Sequence, residues 1–176
     1  MKNTAWMAGL AGGILLAGAA SVGAASPSEG PTALAQTEAA PAPSSTRTPA
    51  TRVLSQRDAQ RLRTAQGITL QWITWDTRGD VHIDRGPDDV WRVNGLQKDA
   101  SGARLAVDGS ITEIGTDYFI LDGRIAMTGM FGRNCSQDKL WRFEVTQNRT
   151  YYRLREFEWC DSSTDYIDIY FAPGLR

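Results

Sequence analysis

The sequence predicts a mainly β domain of about eight antiparallel strands, forming a small barrel or a sandwich, with one short helix at its start. Short segments of alternating apolar and polar residues recur between turn signals along residues 69–171. The segment Leu105–Ile111 has the same pattern as Phe119–Ile125, namely apolar, any, apolar, Asp, Gly, any, Ile. Because glycines at matching places bend neighbouring strands, as a closing sheet requires, we favour the barrel.

The N-terminal part of the chain is predicted to lie outside this domain. Residues 1–25 combine Lys2, an uncharged Ala- and Gly-rich stretch and small residues suited to a peptidase, which together indicate a signal peptide. A retained membrane anchor is the alternative. Residues 26–52 are rich in Pro, Ala, Ser and Thr and are predicted to be a disordered tether. We therefore expect a periplasmic or secreted protein, without stable membrane insertion after signal cleavage, whose single β domain spans residues 53–176.

The domain is predicted to open with a helix. Ser55 and Asp58 resemble a capping box, and Leu62 supplies an apolar face, so we expect a helix near residues 56–66. The next strands are predicted at Thr69–Trp75, at Val81–Ile83 after a tight turn at Arg78-Gly79, and at Val90–Gln97.

The two matching segments are interpreted as one long hairpin that turns at Gly115–Asp117. Pairing residues whose numbers sum to 232 places Gly109 opposite Gly123 and Asp108 opposite Arg124, an opposite-charge pair. Two tight hairpins, each turning at its Asp-Gly, are the alternative. On the core side the long hairpin pairs Leu105 with Met127, Val107 with Ile125 and Ile111 with Leu121.

A second hairpin is predicted over residues 140–157, with a two-residue turn at Asn148-Arg149. It pairs Val145 with Tyr152, Phe143 with Leu154 and Glu144 with Arg153. The apolar pattern changes phase near Arg155-Glu156, which predicts a β-bulge there. The last strand is expected at Asp165–Phe171.

Cys135 and Cys160 are the two cysteines of the chain. In an exported protein they are expected to form one disulfide. We expect the disulfide to join the loop before Lys139 to the loop after Trp159.

The composition excludes several functional classes. From Val53 onward, 16 Lys and Arg side chains are interspersed with 18 Asp and Glu, so there is no basic surface for nucleic acid. Motifs for a nucleophile elbow, a zinc protease or a phosphate-binding loop are absent from the sequence. We therefore expect no catalytic residue, no cofactor and no metal, and a monomeric protein.

One polar strand face is a candidate binding site. Tyr166, Asp168 and Tyr170 alternate along the last strand and, together with Glu156, could orient a polar ligand if they point into a barrel mouth. A solvent-facing strand with packed tyrosines is the alternative. Tryptophans exposed near the barrel rim would instead support a binding face for a sugar or a protein partner.

Two segments resemble a group of small exported bacterial proteins of unknown function. They are Gly67–Trp72 and Tyr151–Cys160, and the resemblance extends over Gly67–Phe171. This group implies no activity. The expected plan is also similar to lipocalin and avidin barrels, in architecture alone.

The leading functional hypothesis is an exported, non-enzymatic β-barrel that binds a small ligand or an envelope partner. One alternative is a hydrolase of envelope glycans that uses carboxylates, which would require two acids within about 5–10 Å in one cleft. Another alternative is a structural or inhibitor-like module that acts through its loops.

Overall fold

The computed structural model describes residues 47–176 and confirms the mainly β fold. The predicted signal peptide, and the predicted tether up to residue 46, lie outside the described residues. The described end of the tether contacts the sheet. The Thr51 hydroxyl donates to the Ile111 carbonyl at 2.5 Å and accepts from the Trp91 N–H at 2.8 Å.

Nine strands, one α-helix and one short 3₁₀-helix make up the regular structure of residues 47–176. In chain order the elements are β1 (Arg52–Val53), α1 (Gln56–Arg63), β2 (Gly67–Leu70), β3 (Asp80–Arg85), β4 (Trp91–Lys98), β5 (Arg104–Gly115), β6 (Tyr118–Met130), β7 (Arg133–Glu144), β8 (Tyr151–Leu154), β9 (Ile167–Tyr170) and the 3₁₀-helix (Pro173–Leu175).

Strands β2 to β9 form an up-and-down meander that curls into a nearly closed barrel. From β3 to β9 each strand pairs with the next one along the chain in antiparallel fashion, and β9 pairs with β2. The gap between β2 and β3 is bridged where Ile68 and Gly79 exchange backbone hydrogen bonds of 3.0 and 2.8 Å. Strand β1 lies beside this circle and pairs in parallel with β5. The barrel prediction is therefore confirmed.

Side chains fill the interior of the barrel. Phe119 stacks on Phe143 with ring centroids 4.9 Å apart and meets Tyr152 edge-on at 5.3 Å. The Trp141 indole N–H donates to the Gly123 carbonyl at 2.8 Å, so the polar group of this large buried ring has a hydrogen-bond partner. A barrel of eight strands is just wide enough for side chains to fill. The inward-facing side chains therefore occupy the space in which a lipocalin-like ligand would lie.

The long hairpin of β5 and β6 has the predicted register. Gly109 lies opposite Gly123 and Asp108 opposite Arg124, and the three predicted core pairs are present. Beyond Ile111 the register shifts by one residue through an irregularity that the sequence pairing did not include. The turn then narrows to two residues, 116–117.

The hairpin of β7 and β8 is confirmed in part. Phe143 pairs with Leu154 and Glu144 with Arg153, as predicted. The two-residue turn at Asn148-Arg149 is wrong, because residues 145–150 form a longer connection with left-handed backbone at Gln147 and Asn148. The predicted pairing of Val145 with Tyr152 is not part of the ladder, which ends at Glu144 and Arg153. On the other side of β7, the Val145 N–H donates to the Asp117 carbonyl and so extends the contact with β6.

Two predicted strand boundaries are wrong because the chain leaves the sheet earlier. Strand β2 ends at Leu70, whose N–H donates to the Gln97 side chain at 2.6 Å. Residues 71–78 then form a loop that leads to the Gly79 bridge, so Trp75 is not in a strand and Arg78-Gly79 is not a tight turn. Likewise the chain leaves the sheet after Leu154, and the phase change near residue 155 marks the start of a loop rather than a β-bulge.

Helix α1 is confirmed, although it ends at Arg63 rather than at residue 66. The Ser55 hydroxyl caps it by accepting from the Asp58 N–H at 3.2 Å. The Asp58 carboxylate is fully buried and accepts from Tyr152 at 2.6 Å and from Arg61 at 2.9 Å. Because Arg61 also binds Asp117 of the β5–β6 turn, α1 covers the barrel end where this turn lies.

Candidate functional site

The most distinctive surface lies at the barrel end opposite α1, which we call the loop end. Alternating strand directions bring four connections together there: residues 71–79, 99–103, 131–132 and 155–166. The largest exposed aromatic side chains of the described residues, Trp72, Trp75 and Phe131, lie on these connections.

Phe131 occupies the tip of the β6–β7 hairpin. Its side chain is 82% exposed, and its backbone has a φ of 51°, in the left-handed region. Gly132 follows with a φ of 78°. Two successive positive φ values define the tight hairpin turn that favours Asn-Gly. A bulky residue at the first of these positions is strained.

Trp72 packs against Phe131 from the β2–β3 loop. The two rings are perpendicular, at 88°, with centroids 6.0 Å apart. The Trp72 indole N–H donates to the Asp165 carboxylate at 2.9 Å and to the Thr164 carbonyl at 3.0 Å. These bonds fix the indole plane while 38% of the residue stays exposed.

Arg133 connects the aromatic pair to the β8–β9 loop. Its guanidinium donates to Asp161 at 2.7 Å and to Asp165 at 2.9 Å. Asp165 is fully buried, whereas Asp161 is largely exposed. The Ser163 N–H and the Arg133 guanidinium hold the pKa of Asp161 below its usual range. We call Trp72, Phe131, Arg133, Asp161 and Asp165 the rim cluster.

A metal ion does not suit this cluster. The Cys160 sulfur and carboxylate oxygens of Asp161 and Asp165 lie within 4.8 Å of one another. However, Cys160 is disulfide-bonded and offers no thiolate, and oxygen atoms of both carboxylates already accept hydrogen bonds from Arg133. The arrangement is therefore a hydrogen-bonded ion-pair network that holds the loop in place.

The predicted disulfide between Cys135 and Cys160 is present, with Cα atoms 5.5 Å apart. Its expected location is partly wrong, because Cys135 lies within strand β7, opposite Met127, rather than in a loop. The disulfide ties the β8–β9 loop to the sheet next to Asp161. It therefore positions one side of the rim cluster.

The structure brings three of the four predicted ligand-binding residues together, on the outer face of β9 and at its start. Ile167 and Ile169 point into the core, so Tyr166, Asp168 and Tyr170 point away from the barrel interior. The condition that they face a barrel mouth is therefore not met. Their ligand-binding role stays a prediction.

Arginine side chains from β8 and from the β2–β3 loop cover this outer face. Asp168 is fully buried and accepts two hydrogen bonds of 2.7 Å from Arg153. The Arg153 guanidinium stacks on Tyr166 at 4.0 Å, and that of Arg78 stacks on Tyr170 at 3.9 Å. Burial raises the pKa of Asp168, and Arg153 opposes this rise.

Glu156, the fourth predicted residue, lies in the β8–β9 loop and pairs with Lys139 of β7 at 2.5 Å. Among the described residues, no hydrogen bond or ion pair joins Glu156 to Tyr166, Asp168 or Tyr170 on the outer face of β9. Its role in binding a ligand also stays a prediction.

A family model supports the resemblance found in the sequence. The model of the PM1083 family matches residues 50–171, which include β1, α1 and the whole barrel. The chain belongs to the PM1083 family. Among PM1083 relatives, it is 33% identical over 108 residues to "Uncharacterized protein PM1083" of Pasteurella multocida (strain Pm70). This alignment covers 59% of the chain and 69% of the relative. No solved structure matches the PM1083-family chain.

All five residues of the rim cluster lie within residues 50–171, the part of the chain that the PM1083 family model matches. Sequence reasoning missed this cluster. Its detectable signal was an aromatic-glycine pair, Phe131-Gly132, between two alternating segments. Among the described residues, no helix has the length and apolar character needed to cross a membrane.

Proposed function

We propose that this protein is an exported, non-enzymatic binding module that recognises an envelope partner through its loop end. The signal-like residues 1–25 and the disulfide support export to the periplasm or beyond. The packed interior favours recognition on the outside of the barrel over capture of a ligand inside it.

The conformation of Phe131 is the observation that carries this proposal. A phenylalanine at a left-handed turn position costs backbone energy, and its exposed ring recovers little of that cost by burial. Asparagine would suit the turn better. Trp72 adds a second ring, held at a fixed angle by Asp165. Exposed aromatic side chains on a rigid support are typical anchors of binding interfaces.

The contacts of four candidate carboxylates favour binding over glycan hydrolysis. Hydrolysis needs one acid that holds a proton and one that stays ionised beside the substrate. Asp165 and Asp168 are instead buried against arginines, Glu156 pairs with Lys139, and Glu113 pairs with Arg52.

Co-sedimentation with peptidoglycan sacculi, and separately with envelope membrane vesicles, tests the proposal. The wild-type protein should sediment with at least one of these two materials. Phe131→Asn should weaken that binding at least ten-fold while the melting temperature stays equal or rises. Leu140→Asn is the matched control, since Leu140 is 59% exposed on strand β7, away from the loop end.

Three results would overturn the proposal. They are a wild-type protein that binds neither material, a Phe131→Asn protein that binds as well as wild type, and a Leu140→Asn protein that loses as much binding as Phe131→Asn. The last result would show general apolar adhesion rather than recognition at the loop end.

A further inference from the structure

A separate pocket lies at the α1 end of the barrel, where β1, α1 and the β3–β4 hairpin meet. Its volume is about 260 Å³. This is somewhat below the range of roughly 300–1,000 Å³ of pockets for drug-sized ligands, so its occupant would be small. We call it the arginine pocket, and it is lined by Ala50, Thr51, Val53, Gln56, Arg63, Arg85, Asp89 and Trp91.

Arg63 is held in place without an anionic partner. Its guanidinium lies over the Trp91 ring, 5.2 Å from the centroid, at the last turn of α1. Within residues 47–176 it forms no ion pair and no side-chain hydrogen bond. A cation over an indole face is attracted to it while its N–H groups stay available. Arg63 is exposed, so its guanidinium can donate to an acceptor that enters the pocket.

Arg85 brings a second guanidinium to the same pocket from the end of β3. It donates to a single oxygen of Asp89, Oδ1, at 2.7 and 3.0 Å. Two cations and one carboxylate leave the lining with a net charge of +1. The pocket is thus complementary to one negative charge, and Gln56 adds an amide that can donate or accept.

We propose that the arginine pocket binds a small molecule that carries one carboxylate group. The fork of a guanidinium matches the two oxygens of a carboxylate, which favours bidentate binding at Arg63. Val53 and Ala50 line the same space and can contact a short apolar portion of the ligand. A phosphate dianion fits less well, because it would leave one negative charge without compensation.

Isothermal titration calorimetry on the purified protein, carrying every residue that remains after export, tests this site. The probes are acetate, butyrate and benzoate, their matched amides acetamide, butyramide and benzamide, and inorganic phosphate. At least one carboxylate should bind with a Kd below about 10 mM, and its amide should not. Arg63→Gln and Arg85→Gln should each weaken that binding at least ten-fold, whereas Arg155→Gln in the β8–β9 loop should leave it unchanged.

Asp89→Asn provides a test in the opposite direction. Removing this charge raises the net charge of the lining to +2, so carboxylate binding should tighten several-fold. The proposal would be refuted if no carboxylate binds with a Kd below about 10 mM, if the amides bind equally well, or if Arg63→Gln binds like wild type. Tighter binding of phosphate than of every carboxylate would overturn the carboxylate assignment. None of these outcomes affects the loop-end proposal, because the two sites lie at opposite ends of the barrel.

Discussion

Gly109 lies directly opposite Gly123, and the two backbones approach so closely that neither position has room for a side chain. A methyl group on Gly109 would lie 2.4 Å from the Asp122 carbonyl oxygen and 2.7 Å from the Gly123 Cα. The atoms that it would meet belong to the backbone of a central barrel strand, so they cannot move aside cheaply. The facing glycines are therefore a steric requirement of the close approach of β5 and β6.

Gly109→Ala should lower the free energy of unfolding by about 1–3 kcal/mol, because the methyl group forces β5 and β6 apart. Urea denaturation measures this change. Gly174→Ala is the control, since a methyl group there meets no atom within 4 Å, and it should be close to neutral. Equal effects of the two substitutions would argue against close backbone contact between Gly109 and Gly123.

Tyr152→Phe should destabilise the α1 end of the barrel. The substitution removes a 2.6 Å hydrogen bond to the fully buried Asp58 carboxylate. Hydrogen bonds to charged groups contribute about 1.5–3 kcal/mol. Tyr170→Phe is the control, because its hydroxyl accepts a 3.3 Å bond from the neutral Thr69 and should matter less. Chemical denaturation at pH 7 compares the two variants.

The same contacts predict an acid-sensitive stability. Burial alone would raise the pKa of Asp58, but hydrogen bonds from Ser55, Tyr152, the Asp117 backbone and Arg61 outweigh it and lower the pKa below 3.8. A lowered pKa stabilises the fold above the unfolded value, and this stabilisation is lost as the pH falls through the folded value. The contribution of Asp58 to the free energy of unfolding should therefore be constant above pH 5 and should decline below about pH 4.

Tyr152→Phe should move this acid decline to higher pH, because Asp58 loses one of the donors that lower its pKa. Denaturation curves between pH 3 and pH 6 make the comparison, with Tyr170→Phe again as the control. A decline at the same pH in wild type and Tyr152→Phe would show that other carboxylates cause it.

The register of the barrel could be predicted where charge and size select one pairing. Asp108 lies opposite Arg124 and Glu144 opposite Arg153, as the charge pattern predicted. Among the described residues neither couple forms an ion pair, since Arg153 binds Asp168 and Arg124 donates to Ser136. Cross-strand pairing is a local property that alternation and charge reveal. The register of the β5–β6 hairpin could therefore be predicted from the sequence.

The rim cluster could not be predicted in the same way. Phe131 stands where the usual Asn-Gly turn signal has asparagine, so only Gly132 indicated a turn there. Trp72 continues the alternation of β2 although the chain has already left the sheet. Its contacts with Phe131 and Asp165 span more than 55 residues of sequence, which no local pattern specifies.

Arg153→Gln should be strongly destabilising, because it leaves the buried Asp168 carboxylate without its cation. Breaking a buried pair costs about 3–5 kcal/mol. The control is Arg92→Gln, which removes an exposed pair with Asp88 and should change the stability little. Equilibrium denaturation at pH 7 distinguishes the two variants.

The deficit of Arg153→Gln should shrink on acidification. Burial raises the pKa of Asp168 above 3.8, and removing Arg153 raises it further. A raised folded pKa stabilises the fold at low pH and loses that contribution as the pH rises through it. The variant should therefore recover stability relative to wild type between pH 7 and pH 4. A deficit that is constant across this range would contradict the assigned ion pair.

Removal of the disulfide should affect the loop end more than the α1 end. Cys135 and Cys160 close a loop of 25 residues, for which the chain-entropy estimate is about 3–4 kcal/mol of unfolding free energy. The C135A/C160A double variant should show that loss, and reductant should not change it further. Hydrogen exchange should rise most in residues 155–166, since Cys160 adjoins Asp161 and anchors this loop to β7. A uniform rise along the chain would mean that the disulfide stabilises the barrel globally without positioning the rim cluster.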